Sequence, residues 1–222
     1  MFGWIVLVIL VIVLFVAIFF LFWDKIKNFM ERHFHAKRVY KVLRYYAEEE
    51  DQLLLNHVVL YLSGDNQPTT FDHIVFADKY VYVISDFSKI GGLYGNVEDP
   101  NLFLCYSKDK IVKITNPILA NENRVMKLEE VLHVQHSDKM FVSVVVYNPS
   151  LIVPKGIAKK NQTSWFLPVT ELEKTIKTAE KDSVSPISHD KTEKLVAMLK
   201  KRSEQNKIEI DAQEKIAQIR KR

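Results

Sequence analysis

The sequence predicts an α/β protein: a mixed central sheet flanked by helices, preceded by one transmembrane helix and followed by a helical tail. Three observations predict it. Phe2 to Trp23 is an uncharged apolar run. From Leu53 to Val169, short β-rich runs are interrupted by a stretch of helical period. From Lys191 to Arg220 the chain is densely charged and helical in propensity.

The apolar run reads FGWIVLVILVIVLFVAIFFLFW, 22 residues without a charge. As a helix it spans roughly 33 Å, enough for a hydrocarbon core of about 30 Å. A cleaved signal peptide would carry a basic start, a shorter apolar core and small residues at the cleavage point. Phe20, Phe22 and Trp23 stand where those small residues belong, so a retained span is expected. Lys25, Lys27, Arg32, Lys37 and Arg38 follow the span and no basic residue precedes it. The positive flank places the N-terminus outside and residues 24 to 222 in the cytoplasm of a single-pass cell-membrane protein. Trp4 and Trp23 suit interfacial anchors. The single cysteine, Cys105, allows no internal disulfide, which agrees with a reducing compartment.

Charge is unevenly placed. Residues 24–188 carry 21 Lys/Arg and 21 Asp/Glu, whereas residues 189–222 carry 10 and 6. The net charge of +4 therefore lies in the tail. A globular part so balanced argues against tight, non-specific nucleic-acid binding by the domain as a whole.

The elements follow in order. Asp24 to Glu49 is a helical stalk, with Phe29, Phe34, Val39, Val42, Leu43 and Tyr46 at helical spacing. LLLNHVVLYL (53–62) reads as a strand, and SGDNQP as a turn. TFDHIVFA (70–77) and YVYVISDF (80–87) form a tight hairpin about Asp78-Lys79. GGLYGN holds three of the chain's six glycines and reads as a turn. FLCYS and KIVKIT make another hairpin. ANENRVMKLEEVLHVQ (120–135) is an amphipathic helix presenting Val125, Leu128, Val131 and Leu132 on one face. MFVSVVVYN (140–148) and SWFLPV (164–169) are strands, and Thr170 is placed to cap a helix running to about Lys181. The division is thus 1–23 transmembrane helix, 24–50 stalk and first domain helix, 36–181 α/β domain, 182–189 linker, and 190–222 basic helical tail. The tail's apolar residues keep no single heptad register, so a solvated or loosely packed helix is expected there, with a coiled coil or a nucleic-acid arm as the alternatives. It contains Lys200, Lys201 and Arg202, the candidate contacts for nucleic acid or a partner.

Helix, three strands, helix, strand is the order of the restriction-endonuclease-like core. LLNHVVL (54–60), TTFDHIVFADKYVYVI (69–84), GGLYGN (91–96) and NPILANENRVMKLEEVL (116–132) carry a closer match. Through these stretches the chain resembles the NERD domain, the nuclease-related domain found in many bacterial proteins, often beside a transmembrane helix. The resemblance covers about residues 36 to 180. It implies a nuclease mechanism in which an Asp ending strand two and an acid on strand three bind a divalent cation, usually magnesium. A lysine two residues after the second acid serves the attacking water. Residues i and i+2 of a strand share a face, so metal and lysine act on one phosphate. The family also uses a glutamate in the first helix and a glutamine after Asn-Pro.

Few of these groups are in place. Asp72 matches the first acid. Anchoring on Gly91 and Gly95 puts Ser85 at the second acid and Phe87 at the lysine. Asp86 is one residue off, which turns it to the opposite face, and Lys89 lies three residues past Asp86 rather than two. Ala120 replaces the glutamine, and the helical glutamate is missing near Ala36-Lys37. The expectation is a membrane-anchored, catalytically inactive binding module with no cofactor, for nucleic acid or a protein partner. Two alternatives stand beside it. A bulge between Val83 and Lys89 would rotate Asp86 inward and rebuild a magnesium site from Asp72, Asp86 and Lys89. Or the chain is a scaffold, self-associating through its tail as a homo-oligomer. His73, His133 and His136 lack further ligands at zinc spacing, although His133 and His136 would share a helix face. There is no phosphate-binding glycine loop and no nucleophile elbow.

Overall fold

The computed structural model describes residues 33–60, 68–107, 110–157 and 161–203, together with 23, 26, 29 and 30. The expected membrane span at 1–23 lies outside them apart from Trp23. Among the described residues no helix is long and apolar enough to cross a membrane.

Among the described residues the strands form two sheets, against the single central sheet expected from the sequence. The larger has the order β1-β2-β3-β7-β9. Its strands are β1 (Leu53–Leu60), β2 (Thr69–Phe76), β3 (Val81–Phe87), β7 (Phe141–Tyr147) and β9 (Ser164–Pro168). The β1–β2 and β2–β3 pairs are antiparallel, and β3–β7 and β7–β9 are parallel, so the sheet is mixed as expected. The smaller sheet has the order β6-β5-β4-β8. It is built from β4 (Gly91–Tyr94), β5 (Asn101–Ser107), β6 (Lys110–Thr115) and β8 (Leu151–Ile152). The GGLY segment is therefore a strand and not a turn. Gly91 has φ +112, and a Cβ there would stand 2.4 Å from the Cys105 carbonyl oxygen. Glycine is what lets β4 lie against β5 at that point.

Helices cover both faces of the larger sheet. On one face, α1 (residues 33–49) buries Val39, Leu43 and Tyr46, and α3 (Leu172–Ala179) buries Leu172 and Ile176. Both pack on Tyr82, Ile84, Val142, Val144 and Val146. Phe29 and Phe34 keep the helical period but are exposed, so the apolar stripe of α1 runs past the core toward the N-terminus. At the end of α1, Lys177 of α3 pairs with both Glu49 and Glu50. Glu171 precedes α3 without a side-chain cap, so Thr170 does not cap it.

On the other face, α2 (Pro117–Val131) packs Val125 and Leu128 on Val81, Val83 and Phe141. Asn116 caps it, its Oδ1 accepting the Ile118 amide at 3.0 Å, with Pro117 in the first turn. Beside α2 lies α4, residues 189–203, whose Leu195, Val196 and Leu199 are buried in the same cluster. This corrects the reading of a solvated tail for the described part. The segment before α4 is likewise fixed, since the Ile187 amide donates to the Asp78 carbonyl at 2.6 Å. In the described part of the tail the buried residues face strands of the sheet and α2 together, so no coiled-coil heptad is required of them.

Candidate functional site

The end of β3 carries the residues that the family resemblance singles out. The β3–β7 ladder runs without a register shift from Val81–Phe141 to Phe87–Tyr147. No bulge lies within this span, so strict alternation holds and Asp86 faces away from Ser85 and Phe87. The rotated arrangement of Asp72, Asp86 and Lys89 is not formed.

Asp72 sits on β2 just beyond the last β2–β3 pair, His73–Ile84. Its Oδ2 accepts the Asp86 backbone amide at 3.0 Å and the Ser85 hydroxyl at 3.2 Å. The carboxylate thus bonds a strand amide beyond the end of the ladder. Arg124, from α2, donates to Ser85 Oγ at 3.4 Å. Phe87, at the family's lysine position, is partly buried against Leu93, Leu102, Val145 and Phe166. Its ring meets Phe166 edge-on at 6.2 Å.

The Asp86 side chain lies on the α1 face. Its Oδ2 is 3.4 Å from His73 Nε2, and its buried Oδ1 has no partner among the described residues. His73 is buried, with Nδ1 2.6 Å from Asn56 Oδ1 and the Tyr40 ring stacked 6.4 Å away. His35, on α1, places Nε2 3.1 Å from the Val146 carbonyl, and its Nδ1 has no partner among the described residues. Burial lowers the His35 pKa, outweighing the upward effects of the Val146 carbonyl and of Asp86.

These residues do not fit a divalent cation. The two carboxylates diverge across β3, one Asp72 oxygen already takes two donors, and the neighbouring cation is Arg124. Among the described residues no group of three or more His, Cys, Asp or Glu is arranged to hold a metal. Lys89 lies in the β3–β4 connection, and no hydrogen bond or ion pair joins it to either aspartate. His133 and His136 do not share a helix face. The helix ends at Val131, His133 has φ +54, and His136 lies in a single 3-10 turn bonding Glu129 at 2.6 Å.

Lys200, Lys201 and Arg202 are exposed on α4 but do not act as one patch. Lys201 and Arg202 border a cavity of about 620 Å³ with Glu130, His133 and Met198. Lys200 borders another, of about 230 Å³, with His57 and Leu199.

Sequence reasoning passed over two residues of α2. Asn121 is buried and donates to the Val83 carbonyl at 3.0 Å and to Ser143 Oγ at 2.9 Å, tying α2 to β3 and β7. Arg124, three residues on, lies along the same face and reaches the β3 terminus. The signal was present, since two polar residues at helical spacing interrupt the apolar stripe just after Asn116-Pro117.

Comparison with protein families matches residues 31–148 to NERD, the nuclease-related domain. Comparison with curated proteins and with solved structures gives no match. The matched stretch ends just after β7, whereas β9, α3 and α4 continue the same packed unit.

Proposed function

The chain belongs to the nuclease-related domain family, and from that premise we propose that it is a membrane-anchored NERD domain that binds in the cytoplasm without cutting. The observation that carries this reading is Phe87. Where the family holds the lysine serving the attacking water, an aromatic ring packs against Phe166. Such a ring supplies neither charge nor a proton acceptor. The anchor rests on the uncharged run Phe2–Trp23 and its basic flank.

The partner surface best supported is the outer face of the smaller sheet. Tyr94, Phe103, Ile111 and Ile152, one from each strand, are all exposed. Tyr94 lies opposite Phe103, and Phe103 opposite Lys113. An apolar, weakly charged face of this kind suits a protein partner. The second reading is a nucleic acid held near the membrane by the exposed cations of α4.

The test uses the full-length chain in detergent, incubated with single- and double-stranded DNA and RNA and with magnesium or manganese. No cleavage is expected, with Asp72→Ala and Asp86→Ala behaving as wild type. Cleavage abolished in both variants would overturn the reading. Salt-dependent retention of nucleic acid, lost on substituting Lys200, Lys201 and Arg202 by glutamine, would select the second partner class.

A further inference from the structure

At the end of the larger sheet opposite Asp86, the β2–β3 turn meets the C-terminal ends of α1 and α3 around a cavity of about 310 Å³. Tyr46, Glu50, Gln52, Asp78 and Glu180 line it. Three acceptor atoms here have no donor among the described residues. Tyr46 is 2% exposed, yet its hydroxyl forms no hydrogen bond. Gln52 Nε2 donates to the Glu50 carbonyl at 2.8 Å and to Asp78 Oδ1 at 3.1 Å. Both partners only accept, which fixes the amide and leaves Gln52 Oε1 unused. Asp78 Oδ2 is unused as well. None of the three atoms is sealed off, in contrast to the orphaned atoms of His35, Asp86 and Ser164.

The surroundings are negative. Burial and then the carboxylates of Glu180, Glu50 and Asp78 raise the Tyr46 pKa, so these groups bear on one hydroxyl. Two helix C-termini add their partial negative charge. Lys177 is already held by Glu49, Glu50 and Glu173, and Lys181 is exposed at the rim. A primary ammonium has three donors and no acceptor, which matches Tyr46 Oη, Gln52 Oε1 and Asp78 Oδ2.

Gln52 and Asp78 also border a neighbouring cavity of about 320 Å³ beside the start of α4. Phe76, Ile187 and Val196 give it an apolar floor. Asp51 and Glu193 stand at its rim, the latter 3.1 Å from His189. A short alkyl chain suits that floor, and a second cation suits that rim.

We propose that the two cavities together bind one linear aliphatic polyamine. One terminal ammonium donates to Tyr46, Gln52 and Asp78, the methylenes cross Phe76 and Ile187, and a second ammonium lies by Asp51 and Glu193. The site shares no residue with the degenerate nuclease positions or with the exposed face of the smaller sheet, so it depends on neither.

The test is isothermal titration of the full-length chain in detergent with spermidine. One spermidine per chain is expected, bound at least about tenfold more tightly than n-butylamine, which lacks the second cation. Tyr46→Phe should weaken binding about tenfold through the lost charge-assisted bond. Its melting temperature should not change, because the hydroxyl bonds nothing in the protein. Asp78→Asn, at an exposed position that spares the core, should weaken binding at least as much. Equal binding by wild type and both variants would overturn the proposal, and so would equal affinity for n-butylamine. Displacement of spermidine by magnesium at matched ionic strength would reduce the site to a diffuse acidic surface. Equal affinity for Nα-acetyl-lysine amide would assign it to a lysine side chain of another protein and refute the polyamine.

Discussion

Asp72 and Asp86 are joined by one bond, from the Asp86 amide to Asp72 Oδ2 at 3.0 Å, while their carboxylates sit on opposite faces of β3. In the rebuilt magnesium site both acids would hold one metal. Here the first supports the backbone of the second. Asp72→Ala should therefore lower stability by about 1–3 kcal/mol, because a half-buried amide and a hydroxyl lose their acceptor. Asp72→Asn, which retains an acceptor oxygen, should lose less. Urea denaturation of the two variants against wild type measures the difference. Equal stability of all three would show that the bond carries no load.

Phe87 supplies a second measurement. Truncating a partly buried aromatic should cost about 3 kcal/mol in Phe87→Ala. Phe87→Lys, which restores the family's residue type, should be at least as destabilising, since it places a charge among Leu93, Leu102 and Phe166. Chemical denaturation checks both. A stable lysine variant would mean that the strand end can open to solvent.

Glu180 links α3 to the β2–β3 hairpin. It accepts the Tyr82 hydroxyl at 2.6 Å and the Lys79 amide at 2.8 Å. Burial raises its pKa above 4.5, against the lowering effect of those donors. The folded state therefore holds the proton at a pH where the unfolded chain has released it. Its stabilising contribution is complete below the unfolded pKa and declines as pH rises through the folded value. The wild type should lose stability relative to Glu180→Gln as pH rises above 4.5, read from denaturation midpoints across that range. A pH-independent difference would contradict this.

Leu199 tests whether α4 belongs to the domain. It is 1% exposed against β1 and α2. Leu199→Ala should cost about 2–5 kcal/mol, whereas a leucine on a solvated helix would change stability by less than about 0.5 kcal/mol. Thermal melts of the full-length variant decide it.

Much of the fold was legible. The β2–β3 hairpin and the apolar strand β7 were read close to their boundaries, because period and turn chemistry are local signals, whereas the helix expected at 120–135 runs from Pro117 to Val131. The second sheet was not, since three glycines in six residues read as a turn. The close approach of β4 to Cys105 is a relation between distant segments. The membership of α4 was hidden for the same reason, its buried face being set by strands more than a hundred residues earlier. At the candidate site, the displacement of Asp86 followed from the period of two. His35, Asn56, Asn121 and Arg124 did not follow, because they reach the site from three other elements, α1, β1 and α2.

The packing of α4 has a consequence for synthesis. β1 is an outer strand of the larger sheet, and Val58 and Leu60 share a cluster with Leu195 and Leu199. The strand made first is thus covered by a helix made last. During translation β1 and β2 can pair early, yet their apolar flank stays bare until about residue 199 has left the ribosome. A nascent or prematurely terminated chain carries an unshielded sheet margin for most of that interval. Chaperone demand should therefore be set by where the chain stops rather than by its length.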